Sequence, residues 1–309
     1  MQETLDHADT QEDARRGRRP RVWHLFVLFV LAQVSIVAVL GVTLGFVAAS
    51  QGQLERGRDI QQQTAILRSV AGSPEVIYVS LISAAVVCIG LALLVGALSP
   101  RPFVDRLRLR RGRLSTAELA GASIGFLGLS NAADAILRLL PGYGHSGIAV
   151  FYRFFQGRGS VGLWLTILLV GVVAPAGEEI FYRGALQTRL GERFGRRTGL
   201  VMASVAFALA HFEPIHMLFA LAAGFYLGRV CDLAASCRTS FAVHSINNSV
   251  AVAGAALIEA NGAFLNAPPI VAASVLFAAA SIFWLWRRTA DGISGRPPAI
   301  VSTNPQPVD

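Results

Sequence analysis

Two adjacent carboxylates, Glu178 and Glu179, lie inside an apolar segment, in residues 177–184, which read GEEIFYRG. Glu179 and Arg183 are four residues apart, so on a helix they share a face and can pair. Glu178 points about 100° away and lacks that partner. A carboxylate in a low-dielectric environment holds a proton more tightly than in water, which suits a general base near neutral pH. The alternative is a solvated helix end, where both carboxylates face water.

Two later apolar segments each carry a histidine at helical spacing from another side chain. His211 follows Phe207 by four residues, and His244 precedes Asn248 by four. His244 and Asn248 therefore share a helix face, from which they could bind a metal, donate to an oxyanion or bridge helices. Ionisable groups inside membrane helices are costly, so each is a candidate functional residue. For His211 the alternative is a buried histidine with a purely structural hydrogen bond, and we interpret His216 in the following turn as interfacial.

The composition indicates a membrane protein. Of the 309 residues, 53% are hydrophobic and 15% are charged, and the mean hydropathy is +0.53. The net charge of +8 does not indicate a nucleic-acid partner, because the arginines occur in short runs beside apolar stretches. That placement is typical of a topology signal and predicts the lipid bilayer as the surroundings of the chain.

The apolar runs predict an all-α bundle of about eight membrane helices. The run at residues 200–229 is broken by Glu213-Pro214, so two helices joined by a tight turn are expected there. A signal peptide cleaved after Val47-Ala48-Ala49 is the alternative for the first run, but that run is long for one, which favours an uncleaved span. The other predicted helices cover about residues 22–49, 77–98, 119–140, 161–190, 241–258 and 269–286.

The arginine distribution predicts the orientation. Residues 101–113 contain six arginines, and these fall on the same side as the basic N-terminal block if eight helices alternate. The positive-inside rule then places both termini in the cytoplasm. The tails, residues 1–20 and 290–309, are polar or rich in proline and glycine and are expected to be disordered. Residues 21–289 are expected to form a single helical membrane domain.

In this order and on successive apolar segments, the clusters resemble the motifs EExxxR, FxxxH and HxxxN of the CPBP intramembrane proteases. That family includes the type 2 CAAX prenyl endopeptidases and the bacterial Abi-type proteins. The motifs read here as Glu178-Glu179…Arg183, Phe207…His211 and His244…Asn248. The resemblance covers a core of about residues 160–260, and the first three helices, the eighth helix and the tails carry no motif.

The resemblance implies an endopeptidase that hydrolyses a peptide bond of a membrane-anchored protein or peptide. Glu178 matches the base that activates water, with His211 holding that water or a metal. His244 and Asn248 match the pair that stabilises the oxyanion, while Glu179, Arg183 and Phe207 are supporting residues. The family has been described both with and without a metal. Glu178, His211 and His244 are chemically adequate ligands for Zn²⁺ or another divalent ion.

Two further interpretations of the same residues stay open. Buried glutamate and histidine could relay ions in a coupled transporter, or the chain could be a non-catalytic membrane scaffold or immunity protein. The Abi-like character and the absence of lysine indicate a bacterial plasma membrane. A helix from Leu200 to His211 rises only about 18 Å, so we expect a shallow hairpin that meets Glu178 part-way across the bilayer.

Overall fold

The computed structural model describes residues 22–52, 59–156, 159–257 and 265–292. The predicted disordered tails fall almost wholly outside this part of the chain. The described residues form eleven helices: α1 (Trp23–Ser50), α2 (Ile60–Ala71), α3 (Pro74–Ala97), α4 (Phe103–Arg106), α5 (Thr116–Leu137), α6 (Gly147–Phe155), α7 (Ser160–Phe194), α8 (Arg196–Leu209), α9 (Pro214–Ala234), α10 (Cys237–Leu257) and α11 (Pro268–Gly292).

The predicted multi-pass helical bundle is confirmed. Six of the described helices, namely α1, α3, α5, α7, α9 and α11, are long and apolar enough to cross a membrane. The other two predicted helices are also present, as α8 and α10. The short helices α2, α4 and α6 connect these elements and were not predicted, because the hydropathy pattern that reveals a span does not detect short connecting helices.

The break at Glu213-Pro214 begins a new helix, as predicted. The Glu213 carboxylate caps α9 by accepting hydrogen bonds from the backbone N–H groups of Ile215 and His216, at 2.9 and 2.8 Å. Pro214 occupies the first turn, where its missing N–H costs nothing. The helix before the break, α8, has 14 residues and a length of about 21 Å, which is less than a bilayer core. Of the two helices in the expected hairpin, only α8 is therefore shorter than a bilayer core.

Helix α7 is not a regular α-helix. It contains two π-helical segments, Ile167–Val173 and Glu179–Gln187, separated by the α-helical turn Ala174–Glu178. Pro175 lies in that turn and cannot donate a backbone hydrogen bond, which accounts for a break in the regular pattern. Wide π turns inside α-helices are frequent at functional sites. The second π-helical segment begins at Glu179, so the geometry of α7 changes within the glutamate pair.

Two glycines let α7 pack closely against its neighbours on either side of the glutamates. A Cβ added at Gly177 would lie 2.9 Å from the Cα of Ala85 on α3. A Cβ added at Gly184 would lie 2.7 Å from the backbone oxygen of Leu107. Both contacts are with backbone atoms, which cannot rotate away. The small residues at the ends of the GEEIFYRG run thus hold α7 against α3 and the α4 loop.

We expect Gly184→Ala to lower the free energy of unfolding by about 1–3 kcal/mol, because the new methyl group overlaps the Leu107 carbonyl. The measurement is reversible unfolding of the purified protein in detergent micelles. Gly121→Ala on α5 is the matched control, since nothing lies within 4 Å of a Cβ there. The control is expected to be neutral or stabilising, because alanine favours helix. Equal stability of Gly184→Ala and the wild type would show that the close approach is not a constraint.

Arginines of residues 101–113 pair with carboxylates on two separate helices at one end of the bundle. Arg106 is fully buried and its Nη1 donates to Oε2 of Glu192 on α7 at 3.2 Å, while Arg101 also pairs with Glu192. Arg108 Nη1 donates to Oδ1 of Asp232, at the end of α9, at 2.8 Å. The arginine block at residues 101–113 therefore lies against the C-terminal ends of α7 and α9, on one side of the bundle. The cytoplasmic assignment of that side stays a prediction.

Candidate functional site

The three motifs meet around His244, which lies on α10. Its Nδ1 donates to Oε1 of Glu179 at 3.1 Å, and its Nε2 lies 3.8 Å from Oε2 of Glu178. The two glutamates are neighbours in sequence but differ in surroundings: the Glu178 side chain is 25% exposed, whereas that of Glu179 is fully buried. One imidazole therefore contacts both carboxylates, and only Glu178 is open to a reactant.

A buried chain of charges holds His244. Nε of Arg183 lies 3.4 Å from Oε2 of Glu179, at the four-residue spacing that the sequence suggested, and both side chains are almost completely buried. Burying an ion pair costs free energy. The hydrogen bond from His244 to the other oxygen of Glu179 offsets part of that cost. Glu179 therefore orients His244. The sequence pattern indicated the Arg183 partner but not this contact, because the two residues are 65 positions apart.

Phe207, the aromatic residue of the second motif, lies between the other two motifs. The guanidinium carbon of Arg183 lies 4.4 Å from the centre of its ring. Nη1 and Nη2 of Arg183 have no hydrogen-bond partner among the described residues, so the ring face is their main compensation. The edge-to-face contacts of Phe207 reach His211 and His244, at ring distances of 5.0 and 6.3 Å. Phe207 thus packs the motifs together.

His211 lies just beyond the C-terminal end of α8, where the chain turns towards α9. Its Nδ1 donates to the backbone oxygen of Phe207 at 2.9 Å, which leaves Nε2 as the free nitrogen. The ring of His216 lies 4.3 Å from that of His211. The interpretation of His216 as an interfacial residue does not include this contact with the motif residue His211.

Asn248 is oriented differently from His244. Its Nδ2 donates to the backbone oxygen of Val170 at 3.1 Å, within the first π-helical segment of α7. That carbonyl group belongs to a widened turn, and the amide ties α10 to it. The observed contact is the helix-bridging alternative of the sequence analysis. Asn248 retains a second amide hydrogen, which this contact does not use.

The proposed metal ligands do not form a metal-binding arrangement. Carboxylate and imidazole are ligand types that zinc accepts. Within the described ranges, however, no group of three or more histidine, cysteine, aspartate or glutamate side chains is placed to hold one ion. Glu178 lies beside His244, and Phe207 contacts both His244 and His211.

Sequence analysis missed three buried polar residues near α7. Cys88 on α3 and Tyr182 on α7 belong to one buried cluster, and the Gln33 side chain on α1 is also buried. Tyr182 belongs to the first motif and follows Glu178 by four residues, which is a signal that could have been used. Gln33 is a lone amide within an apolar run, and buried polar residues in membrane helices are functional candidates by the rule applied to the motifs.

Comparison with known proteins agrees with the motifs. A family model described as Type II CAAX prenyl endopeptidase Rce1-like matches residues 160–250, a range that contains all three motifs. No curated protein and no solved structure matches the chain. The matched range extends from the start of α7 into α10 and leaves α1 to α6 and α11 outside it. Over residues 160–250 the chain is therefore similar to the type II CAAX prenyl endopeptidases, a branch of the family that its motifs resemble.

Proposed function

We propose that this protein is an intramembrane endopeptidase that hydrolyses a peptide bond of a membrane-anchored protein or peptide. One observation carries the proposal: the open carboxylate of Glu178 faces Nε2 of His244, whose other nitrogen is held by the buried Glu179–Arg183 pair. A base beside an oriented imidazole, within a membrane bundle, is what amide hydrolysis near a bilayer needs. The family match over the same residues supports this chemistry.

In the proposed reaction, Glu178 takes a proton from a water molecule that His211 helps to hold. The resulting hydroxide attacks the carbonyl carbon of the substrate, and the carbonyl oxygen becomes an oxyanion. Glu178 then returns the proton to the amide nitrogen as the C–N bond breaks, which releases an amine and a carboxylate. No serine or cysteine nucleophile is required, so the peptide is cleaved in a single hydrolytic sequence.

His244 is the proposed oxyanion donor. An ionised Glu179 carboxylate can only accept, so Nδ1 of His244 carries the proton of that hydrogen bond. Nε2 can donate to the oxyanion when the ring is protonated on both nitrogens. The buried Glu179–Arg183 pair thus serves the reaction by setting the direction of His244.

Asn248 is proposed to be a positioning residue. We expect Asn248→Ala to lower the free energy of unfolding by about 1–3 kcal/mol, because the Val170 carbonyl loses its side-chain donor. The rate of peptide cleavage should fall less than about tenfold, since His244 keeps its own partner. Unfolding and kcat are measured on the same preparation. A rate loss above about 10²-fold with unchanged stability would instead assign Asn248 to the oxyanion, as the resemblance implies.

The proposed surroundings are a bacterial plasma membrane with both termini in the cytoplasm. The arginine-rich end of the bundle would then face the cytoplasm. The substrate would be a peptide segment held at the bilayer by its own anchor, since the site lies between membrane helices. Cysteine accessibility to a membrane-impermeant reagent, with single cysteines introduced near Arg111 and near Gly142, tests this orientation. Labelling of only the Gly142 position from outside intact cells is expected.

A bound metal stays a prediction, and the mechanism above uses only groups of the chain. Metal content is measured on purified wild type, Glu178→Ala and His211→Ala. Stoichiometric metal in the wild type that is lost in both variants would establish these residues as ligands. Metal that persists in both variants would point to other ligands.

The proposal is tested in liposomes that contain the purified protein and a lipid-anchored peptide with a fluorophore and quencher on either side of a randomised segment. Cleavage by the wild type releases fluorescence, and liposomes without protein are the blank. A coupled transporter would instead move protons or sodium across the same liposomes without cutting the peptide. Ion flux without cleavage would therefore replace the proposed function with the transporter alternative.

A further inference from the structure

We propose that Phe126 on α5 is a positioning residue for His244, and that its ring, backed by Tyr226 on α9, fixes the plane of the imidazole. The inference rests on the proposed endopeptidase function, because it concerns the direction of Nε2, the proposed donor to the oxyanion. It assigns a role at the site to α5, a helix that carries no motif and lies outside the matched range.

A single hydrogen bond leaves the imidazole of His244 incompletely fixed. Nδ1 donates to Oε1 of Glu179 at 3.1 Å, whereas Nε2 lies 3.8 Å from Oε2 of Glu178, which is beyond a hydrogen bond. The last torsion angle of a histidine side chain has a broad energy minimum, so the ring can rock about its bond to Glu179. Such a rotation would move Nε2 away from the oxyanion. The plane of the ring therefore needs support from the groups beside it.

Two aromatic rings, both nearly perpendicular to the imidazole, supply that support. The ring centre of Phe126 lies 6.3 Å from that of His244, with an angle of 89° between the planes. Phe207 contacts the same imidazole at 6.3 Å and 82°. These values are typical of edge-to-face aromatic pairs. Phe126 and Phe207 are only 1% and 3% exposed, so surrounding atoms keep both rings in place against His244.

Tyr226 holds Phe126 in turn. The two rings are stacked, with centres 5.1 Å apart and planes at 23°. The Tyr226 hydroxyl group donates to the backbone oxygen of Ala122 on α5 at 2.7 Å and also bonds with the hydroxyl group of Ser281 on α11. The tyrosine ring is therefore fixed to two other helices while it packs on Phe126. Helices α5, α9 and α11, which carry none of the motif residues, thus meet at a ring that contacts His244.

The first test observes His244 directly and needs no substrate. The Nδ1 proton that His244 donates to Glu179 is followed by NMR in detergent micelles with isotope-labelled histidine, and its signal is assigned by its loss in His244→Gln. Phe126→Leu should broaden or shift this signal, because the imidazole gains freedom to rock. Phe154→Leu is the matched control and should leave the signal unchanged. Phe154 is 4% exposed and contacts Tyr78 edge to face at 5.4 Å, in a separate buried cluster.

The second test separates positioning from packing by cleavage of the lipid-anchored peptide. Both leucine variants should lower the midpoint of thermal unfolding by about 2–6 °C, because each removes a buried ring. Only Phe126→Leu should lower kcat, by about 10- to 100-fold, with KM within about twofold of the wild type. Tyr226→Phe keeps both rings but loses the hydroxyl bonds, so kcat should fall about 3- to 10-fold, again without a change in KM.

The outcomes distinguish this inference from the proposed function. An unchanged NMR signal in Phe126→Leu, or equal kcat losses in Phe126→Leu and Phe154→Leu, would overturn the positioning role while wild-type cleavage supports the endopeptidase. If Phe126→Leu does not fold, an unchanged signal and kcat in Tyr226→Phe would overturn it instead. Absence of cleavage by the wild type would reject the proposed function and, with it, the role of Phe126 in the reaction, whatever the NMR signal shows.

Discussion

Glu178→Gln is expected to lower kcat/KM for the anchored peptide by about 10²–10⁴-fold while leaving the fold intact. The amide has nearly the shape of the carboxylate but cannot take a proton from water. The Glu178 side chain is partly exposed, and its distance to Nε2 of His244 exceeds that of a hydrogen bond. Little stability therefore depends on it, and the free energy of unfolding should change by less than about 1 kcal/mol.

The measurement compares initial rates of wild type and Glu178→Gln in the same liposomes, with circular dichroism and thermal unfolding on the same samples. Glu75→Gln is the matched control, since Glu75 is an exposed carboxylate in the first turn of α3, away from the three motifs. The control should retain the wild-type rate. A Glu178→Gln rate within tenfold of the wild type would show that another group activates the water.

Glu179→Leu is expected to have the opposite profile, with a loss of about 3–5 kcal/mol in the free energy of unfolding. The substitution leaves the Arg183 guanidinium buried with only the ring of Phe207 for compensation. It also removes the acceptor for Nδ1 of His244, so the folded fraction should be poorly active. Urea or thermal unfolding in detergent, followed by intrinsic fluorescence, measures the first effect.

The double variant Glu179→Leu/Arg183→Met separates the two effects. Removing the second charge should recover most of the lost stability, because the uncompensated guanidinium is gone. Activity should stay low, since His244 still lacks its partner. Stability losses that simply add in the double variant would show that the pair does not interact. Restored activity would show that Glu179 does not orient His244.

Hydropathy and proline placement predicted most of the fold. The eight helices follow from apolar runs long enough to need a bilayer, and the break before Pro214 follows from its missing donor. The π-helical turns of α7 could not be predicted in this way, because hydropathy records the length of an apolar run and not the hydrogen-bond pattern inside it. The short connecting helices α2 and α6 were missed because they are too short to resemble spans.

The site could be predicted only in part. Four-residue spacings placed Glu179 with Arg183 and Phe207 with His211, because each pair is separated by about one helical turn. Contacts between helices depend on packing that no local pattern records. The bond from His244 to Glu179 and the bond from Asn248 to Val170 are of this kind. The bond from His244 shows that Glu179 is more than a neighbour of the proposed base. Under the proposed mechanism, it orients the oxyanion donor.

Mass spectrometry of the lipid-anchored peptide tests the central claim most directly. The peptide is incubated with liposomes that contain wild-type protein or, as the matched blank, Glu178→Gln. The account predicts a new carboxylate end and a new amino end at one position with the wild type, and intact peptide with the variant. A peptide that stays intact with both proteins, or is cut equally by both, would contradict hydrolysis by water activated at Glu178.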